Sequence, residues 1–217
     1  MEGKYHIEIL ERSLGDRVPG DVMDILIAAN LGQDSLIGLT HLEYHFDANL
    51  FDVSQAYVDG QRALAQRWWG RPVGWAAFGR LSHTVADFYA HSNYVRLWLA
   101  REMAVPDPAE VEAALRRDPV GAPAPERIPP LDPELIGHAA LRSGRVYWVR
   151  DILGLVPVLG SVLEPWMPRD SHARMNLDHP GRGPLFPYAM SAAVARTVIE
   201  YDRVLVARSL PPGQSVE

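Results

Sequence analysis

The chain has 217 residues, of which 47% are hydrophobic and 22% charged, the balance of a globular chain able to bury one core or two small ones. Its 27 acids against 21 bases give a net charge of −6, which argues against a surface built to coat nucleic acid, so no nucleic-acid partner is expected. Cysteine is absent, which excludes disulfides, thiolate nucleophiles and zinc–thiolate sites and leaves eight histidines as the nitrogen donors for any metal.

The opening Met1-Glu2-Gly3-Lys4-Tyr5-His6 lacks a basic-then-apolar leader, so the chain reads as cytoplasmic or as a processed form. His6 to Leu14 places Ile7, Ile9, Leu10 and Leu14 at helical spacing. Gly15 and Gly20 punctuate the turn that follows, and Asp21 caps a second helix with Val22, Ile25, Leu26, Ala29 and Asn30. Asp34 lies beyond it, on what reads as a continuation of an apolar helix, where a buried carboxylate needs a partner. A third helix is predicted over about Asn49 to Trp69, with Phe51, Val53, Tyr57, Leu64 and Trp68 inward, ended by Gly70 and Pro72.

Pro72 to Met103 is the longest apolar segment, with proline tolerated at a helix entry. Asp118 to Pro133 holds six of the chain's eighteen prolines and is predicted to be a loop: a surface linker, a lid or an inert insertion. Pro133 to Arg150 and Ile152 to Leu163 read as short helices, and Pro184 to Leu210 as a closing one. The run Ile152–Leu163 is broken by Gly154, Pro157 and Gly160 and is too short to span a bilayer. With Tyr147, Trp148 and Trp166 around it, this run fits a lipid-facing lip less well than ordinary core. Hairpin-flanked alternating strands are absent from the pattern, so the predicted class is all-α, a single multi-helix domain.

The chemistry concentrates in Leu81-Ser82-His83-Thr84-Val85-Ala86-Asp87-Phe88-Tyr89-Ala90-His91-Ser92-Asn93-Tyr94. His83, Asp87 and His91 stand at i, i+4 and i+8, one stripe on a helix; chance gives such a triplet only about 0.02 times in a chain of this composition. His83 and His91 are ~12 Å apart along an ideal helix, too far for one ion with ligand bonds of ~2 Å, which favours two or more metals near a shared Asp87. His41, His45 and Asp47 form a second cluster, and His172, Asp178 and His179 a third. His138, between Gly137 and Ala139, has no chemical neighbours and reads as surface. Imidazole and carboxylate without sulfur suit zinc, iron or manganese.

The helix with His83, Asp87 and His91-Ser92-Asn93, the triplet His45-Phe46-Asp47 and the segment His172 to Pro180 resemble the zinc-dependent phospholipase C superfamily, and within it the Het-C (heterokaryon-incompatibility) branch. The resemblance covers Tyr5 to Tyr94 and Ser171 to Leu210. It implies an all-α fold around two or three zinc ions, hydrolysing a phosphate ester or phospholipid. It implies His6 and Asp87 on one metal, Asp34, His45, His83 and Asp87 on another, and His91, His172 and Asp178 on a third, with Asp34 and Asp87 the carboxylates that also serve catalysis. His41 and Asp47 then support these ligands or substitute for them, and His179 is an alternative to Asp178. Two features differ from the family: its members place the histidine after the shared aspartate farther along, past a Gln-Pro turn, and they bring an N-terminal Trp amine and carbonyl to one metal.

Zinc acidifies a bound water to near neutral pH, supplying a nucleophile for phosphorus. Arg80, Arg96 and Arg174 fit either phosphate contacts or surface ion pairs. The same donors suit a non-haem di-iron oxidase, although paired Glu-x-x-His helices are missing. A non-catalytic, metal-stabilised signalling module is the third expectation.

Overall fold

The computed structural model describes residues 1–147, 167–168 and 170–209, and among these the regular structure is helical, with two isolated bridges pairing Ser92 with Ser143 and Arg145 with Ser171. The helices are α1 (Gly3–Leu14), α2 (Gly20–Leu31), α3 (Phe51–Trp68), α4 (Pro72–His91), α5 (Tyr94–Glu102), α6 (Val111–Arg117), α7 (Pro133–Ile136), α8 (His172–Met175) and α9 (Phe186–Ser209). The class is all-α, as expected. None of these helices is long and apolar enough to cross a membrane.

α4 is the axis of the assembly. Arg71 is extended and Pro72 starts the helix, where its missing N–H costs nothing. Every residue from Leu81 to His91 is buried, because α2, α3 and α9 pack around it and α1 reaches it as well. A helix covered on all sides is one in which any polar group must find a partner inside the protein. Gly79 lets α2 come close: a methyl group there would collide with the Leu26 carbonyl. One turn farther along each helix, Asn30 and His83 then meet.

The apolar segment Pro72–Met103 forms two helices, α4 and α5. Ser92 turns extended, and its hydroxyl donates back to the Phe88 carbonyl while accepting from the Tyr94 N–H. That break satisfies the backbone groups freed at the end of α4 and lets His91 close the helix at the core. The inward face of α3 differs from expectation. Ser54, Val58 and Ala65 are buried, whereas Val53 and Leu64 face outward, because small residues allow α3 to approach α4 and α9 closely.

The proline-rich loop is irregular apart from a single turn at Pro125–Arg127. Proline carries no N–H, so the loop's carbonyls need donors from elsewhere. Tyrosines supply them: Tyr188 donates to Pro123, Tyr94 to Pro129 and Tyr89 to Pro130. Of the segment Pro133 to Arg150, expected to be helical, the described residues form a helix at Pro133–Ile136 and are irregular from His138 to Tyr147. The run Ile152–Leu163, with Trp148 and Trp166, lies outside the described residues.

α3 and α9 are clamped by a buried carboxylate. Glu200 accepts from Arg62 (2.6 Å), Arg196 (2.7 Å) and Arg203 (2.9 Å). Burial works against its charge, but Arg196 and Arg62 outweigh it, and its pKa lies below the ordinary glutamate value. A depressed folded pKa means that this stabilisation is present above about pH 4.3 and lost as the pH falls through the folded value. Glu200→Gln is therefore expected to lower stability at pH 7 by about 3 kcal/mol, since it leaves buried guanidinium groups uncompensated. In denaturant unfolding, the gap between wild type and variant should narrow below about pH 4.3; a gap constant with pH would contradict the clamp.

Candidate metal centre

Asp87 lies at the middle of α4 with its carboxylate buried, and its two oxygens face different sets of imidazoles. Oδ2 is 2.9 Å from His45 Nδ1 and 3.0 Å from His83 Nε2, while Oδ1 is 3.2 Å from His6 Nε2 and 3.8 Å from His91 Nε2. The ring of His6 stacks on that of His83 with centroids 4.1 Å apart. α1, α4 and the turn at His45 thus deliver four imidazoles to one carboxylate.

Among the described residues, three groups bring ligand atoms within 4.8 Å of one another: His6, His83 and Asp87; Asp34, His45 and His83; and Asp47, His91 and His172. Each group offers a mixture of imidazole nitrogen and carboxylate oxygen, a donor set that holds divalent metal ions. The donors also fit a metal in their unmet needs. Both ring nitrogens of His6 and Nε2 of His45 are buried without a hydrogen bond among the described residues. A buried polar atom left unpaired costs about 1–3 kcal/mol, and a coordinated cation removes that cost.

The supporting contacts set the imidazole tautomers. Nδ1 of His83 is 3.3 Å from the Asn30 amide oxygen, and Asn30 in turn donates to Ser82. Nδ1 of His91 is 3.0 Å from the His45 carbonyl. Both contacts call for N–H on Nδ1, which leaves the Nε2 lone pairs turned toward Asp87. Asn30 was expected only as part of the helical pattern; its spacing carries no chemical signal, and the pairing arises from the α2–α4 approach at Gly79.

The Met1 α-amino group lies in the same cluster, 2.6 Å from Asp87 Oδ1, 3.2 Å from Asp178 Oδ1 and 3.4 Å from His91 Nε2. Burial opposes its charge, but Asp178 and Asp87 prevail and raise its pKa to about 11. Desolvation, with His83 and the ammonium nearby, lowers His6 to about 3, so its imidazole is neutral and available as a donor. At the other side of the cluster burial again disfavours charge, yet Asp47, 2.9 Å from Nδ1, lifts His172 to about 9. Asp87 and Asp178 are held well below the ordinary carboxylate range: burial opposes this, and the ammonium and His91 outweigh it.

The expected residues divide clearly. His6, Asp34, His45, His83, Asp87, His91 and His172 all fall in the three groups. Asp178 stands beside them, 3.1 Å from His91 Nε2. Asp47, expected only to support or substitute, belongs with His91 and His172. Asp34 lies in the turn Gly32–Asp34 that follows α2, and the change of direction there brings its Oδ1 to 3.6 Å from His83 Nε2. His41 turns away to Glu43 and stacks on Tyr44. His179 accepts from the Gly181 N–H, and His138 from the Ala140 N–H. Arg80 binds Gln61, Arg96 pairs with Glu112, and Arg174 reaches the Met167 carbonyl, none of them a cluster residue.

Local backbone geometry explains why Asp47 joins the site. Phe46, Ala48 and Asn49 adopt φ of 54°, 56° and 59°, a left-handed coil that costs about 1–2 kcal/mol per non-glycine residue. The His138–Tyr147 segment holds it in place. Asn49 and Ser143 exchange hydrogen bonds of 2.8 and 2.7 Å, and Ala48 donates to Gly144. Gly144 also donates to the His91 carbonyl, and its neighbour Arg145 accepts from His172. One short stretch therefore fixes Asp47, His91 and His172 together.

Comparison with protein-family models, with curated proteins and with solved structures finds no match. What fold and site define together is an all-helical protein with a buried histidine–aspartate centre able to hold metal ions.

Gly144 is the sharpest local test of that centre. A Cβ at this position would lie 2.5 Å from the His172 Cα, so Gly144→Ala must push α8 outward. The expected results are a stability loss of about 1–3 kcal/mol and, in protein loaded with zinc, a lower metal content than wild type, because the Asp47, His91 and His172 group is disturbed. Elemental analysis of the purified variant checks this, and an unchanged metal content would contradict it.

Proposed function

We propose that the protein is a metal-dependent phosphoric ester hydrolase, related to the zinc-dependent phospholipase C superfamily and to its Het-C-like branch. The observation that carries this reading is Asp87: a buried carboxylate whose two oxygens face different pairs of imidazoles, His45 with His83 and His6 with His91, all four of them among the metal-competent residues. Metal ions held by these residues would have Asp87 as a common ligand and would supply positive charge for a reaction in which attacking and leaving oxygens both carry negative charge. Purely structural zinc sites more often close with four tight ligands, commonly cysteines, which this chain lacks.

Two or three zinc ions would be held by His6, His83 and Asp87; by Asp34, His45 and His83, with Asp87 beside them; and by His91 and His172 with Asp47 or Asp178. Zinc bound there supplies Lewis acidity, which makes water nucleophilic near neutral pH and neutralises charge on phosphorus. Asp87 contributes a buried negative charge and faces both pairs of imidazoles. Asn30 and the His45 carbonyl orient His83 and His91 so that both present a lone pair.

Access comes from the outer side. The side chains of Asp34, His172 and Asp178 are 35%, 26% and 22% exposed, whereas those of Asp87 and His83 are buried. Asp34 therefore meets solvent and substrate, and its carboxylate takes the proton from the attacking water. The water oxygen bonds to phosphorus as the P–O ester bond breaks, and the proton held on Asp34 passes to the departing oxygen, which leaves as an alcohol. A phosphodiester small molecule or a phospholipid head group is the substrate this chemistry implies.

Protein purified without added metal or chelator is expected to carry two to three equivalents of zinc and to hydrolyse bis(p-nitrophenyl) phosphate. Asp87→Asn should release more than one equivalent and reduce the rate at least 10³-fold, about 4 kcal/mol of transition-state stabilisation. Release of one equivalent or less would contradict sharing of Asp87. Two equivalents of iron, or zinc without hydrolysis of any phosphate ester, would overturn the reading.

A further inference from the structure

The segment Ser35-Leu36-Ile37-Gly38-Leu39-Thr40, between Asp34 and His41, contains no charged side chain. Leu36 is 87% exposed, Ile37 76% and Leu39 41%. The turn that presents them is closed by its own hydrogen bonds. Leu39 N–H donates to the Ser35 carbonyl (2.8 Å), Thr40 N–H to the Ile37 carbonyl (3.0 Å), Gly38 N–H to the Ser35 hydroxyl (3.1 Å), and the Thr40 hydroxyl to the Ile37 carbonyl (2.7 Å). Large aliphatic side chains are thus held out in water on an ordered support, at a cost in apolar exposure that the fold does not relieve. Asp34, the most exposed carboxylate of the metal-competent groups, immediately precedes this tip.

From this we propose that residues 35–40 form a lipid-docking wedge. Leu36, Ile37 and Leu39 insert into a zwitterionic phospholipid surface and bring the Asp34 side of the centre against the head groups. The link to head-group chemistry rests on the phosphoric ester reading, whereas the docking itself does not. The size and composition of the tip select this occupant. Three aliphatic side chains cover far less than the ~800 Å² per partner of a stable protein–protein interface. The tip also lacks Trp, Tyr and Arg, the residues that anchor such interfaces. Fluid lipid needs no matching pocket, only apolar side chains that reach it. A net charge of −6 disfavours an anionic surface, so the attraction is apolar and insensitive to salt.

The test is flotation of the full chain with phosphatidylcholine vesicles at 0.05 and 0.5 M salt, beside the double variant Leu36→Ser, Ile37→Ser. Wild type is expected to float at both salt concentrations. The double variant, folded as judged by circular dichroism, should partition about a hundredfold more weakly, about tenfold per aliphatic side chain lost. It should still hydrolyse bis(p-nitrophenyl) phosphate at the wild-type rate. Failure of wild type to float, or equal flotation of the two proteins, overturns the proposal. So does wild-type self-association in sedimentation velocity that the double variant abolishes, since a second copy then covers the tip. Flotation without hydrolysis of any phosphate ester would instead remove the hydrolase reading and leave the docking intact.

Discussion

A carboxylate buried in the middle of a fully covered helix is the constraint on which the rest of this structure depends. Asp87 cannot be hydrated where it lies, so its charge must be matched from inside the protein. Four imidazoles and an ammonium group converge on it, drawn from α1, α4 and the turn at His45. Packing follows from that requirement. Gly79 brings α2 against α4 so that Asn30 can orient His83, and Ser92 breaks the helix one residue after His91 reaches the cluster. The left-handed coil at Phe46, Ala48 and Asn49 is local strain accepted to turn Asp47 inward, beside His45.

The fold was legible where its signal was local and periodic. α1, α2, α4 and α9 follow apolar spacing, and the proline-rich stretch is a loop because proline cannot continue a helix or donate a hydrogen bond. The inward face of α3 is not legible from spacing, because burial there is set by small residues. Ser54 and Ala65 go inward to allow close packing, and nothing in their spacing distinguishes them from Val53 and Leu64. The chain from His138 to Tyr147 looked helical by composition. Its conformation is decided instead by contacts with Asn49, His91 and His172, all remote in sequence.

Much of the centre was legible for a different reason. The stripe His83, Asp87, His91 is a property of helix geometry, and an eight-residue separation rules out a single ion for both histidines. What spacing does not encode is which remote groups complete each set. Asp47 joins His91 and His172 only through positive φ at its neighbours, and Asn30 becomes an orienting residue only through a helix crossing. His41 and His179, as close to carboxylates in sequence as His45 is, find local partners in Glu43 and the Gly181 N–H and stay outside.

The central claim is that Asp87 joins two groups of metal ligands. Anomalous diffraction at the zinc edge, from crystals of the zinc-loaded protein, tests it most directly. The account predicts at least two anomalous peaks about 3.5–4 Å apart, one near each carboxylate oxygen of Asp87. A single peak, or peaks that leave Asp87 without a metal ligand bond, would contradict it.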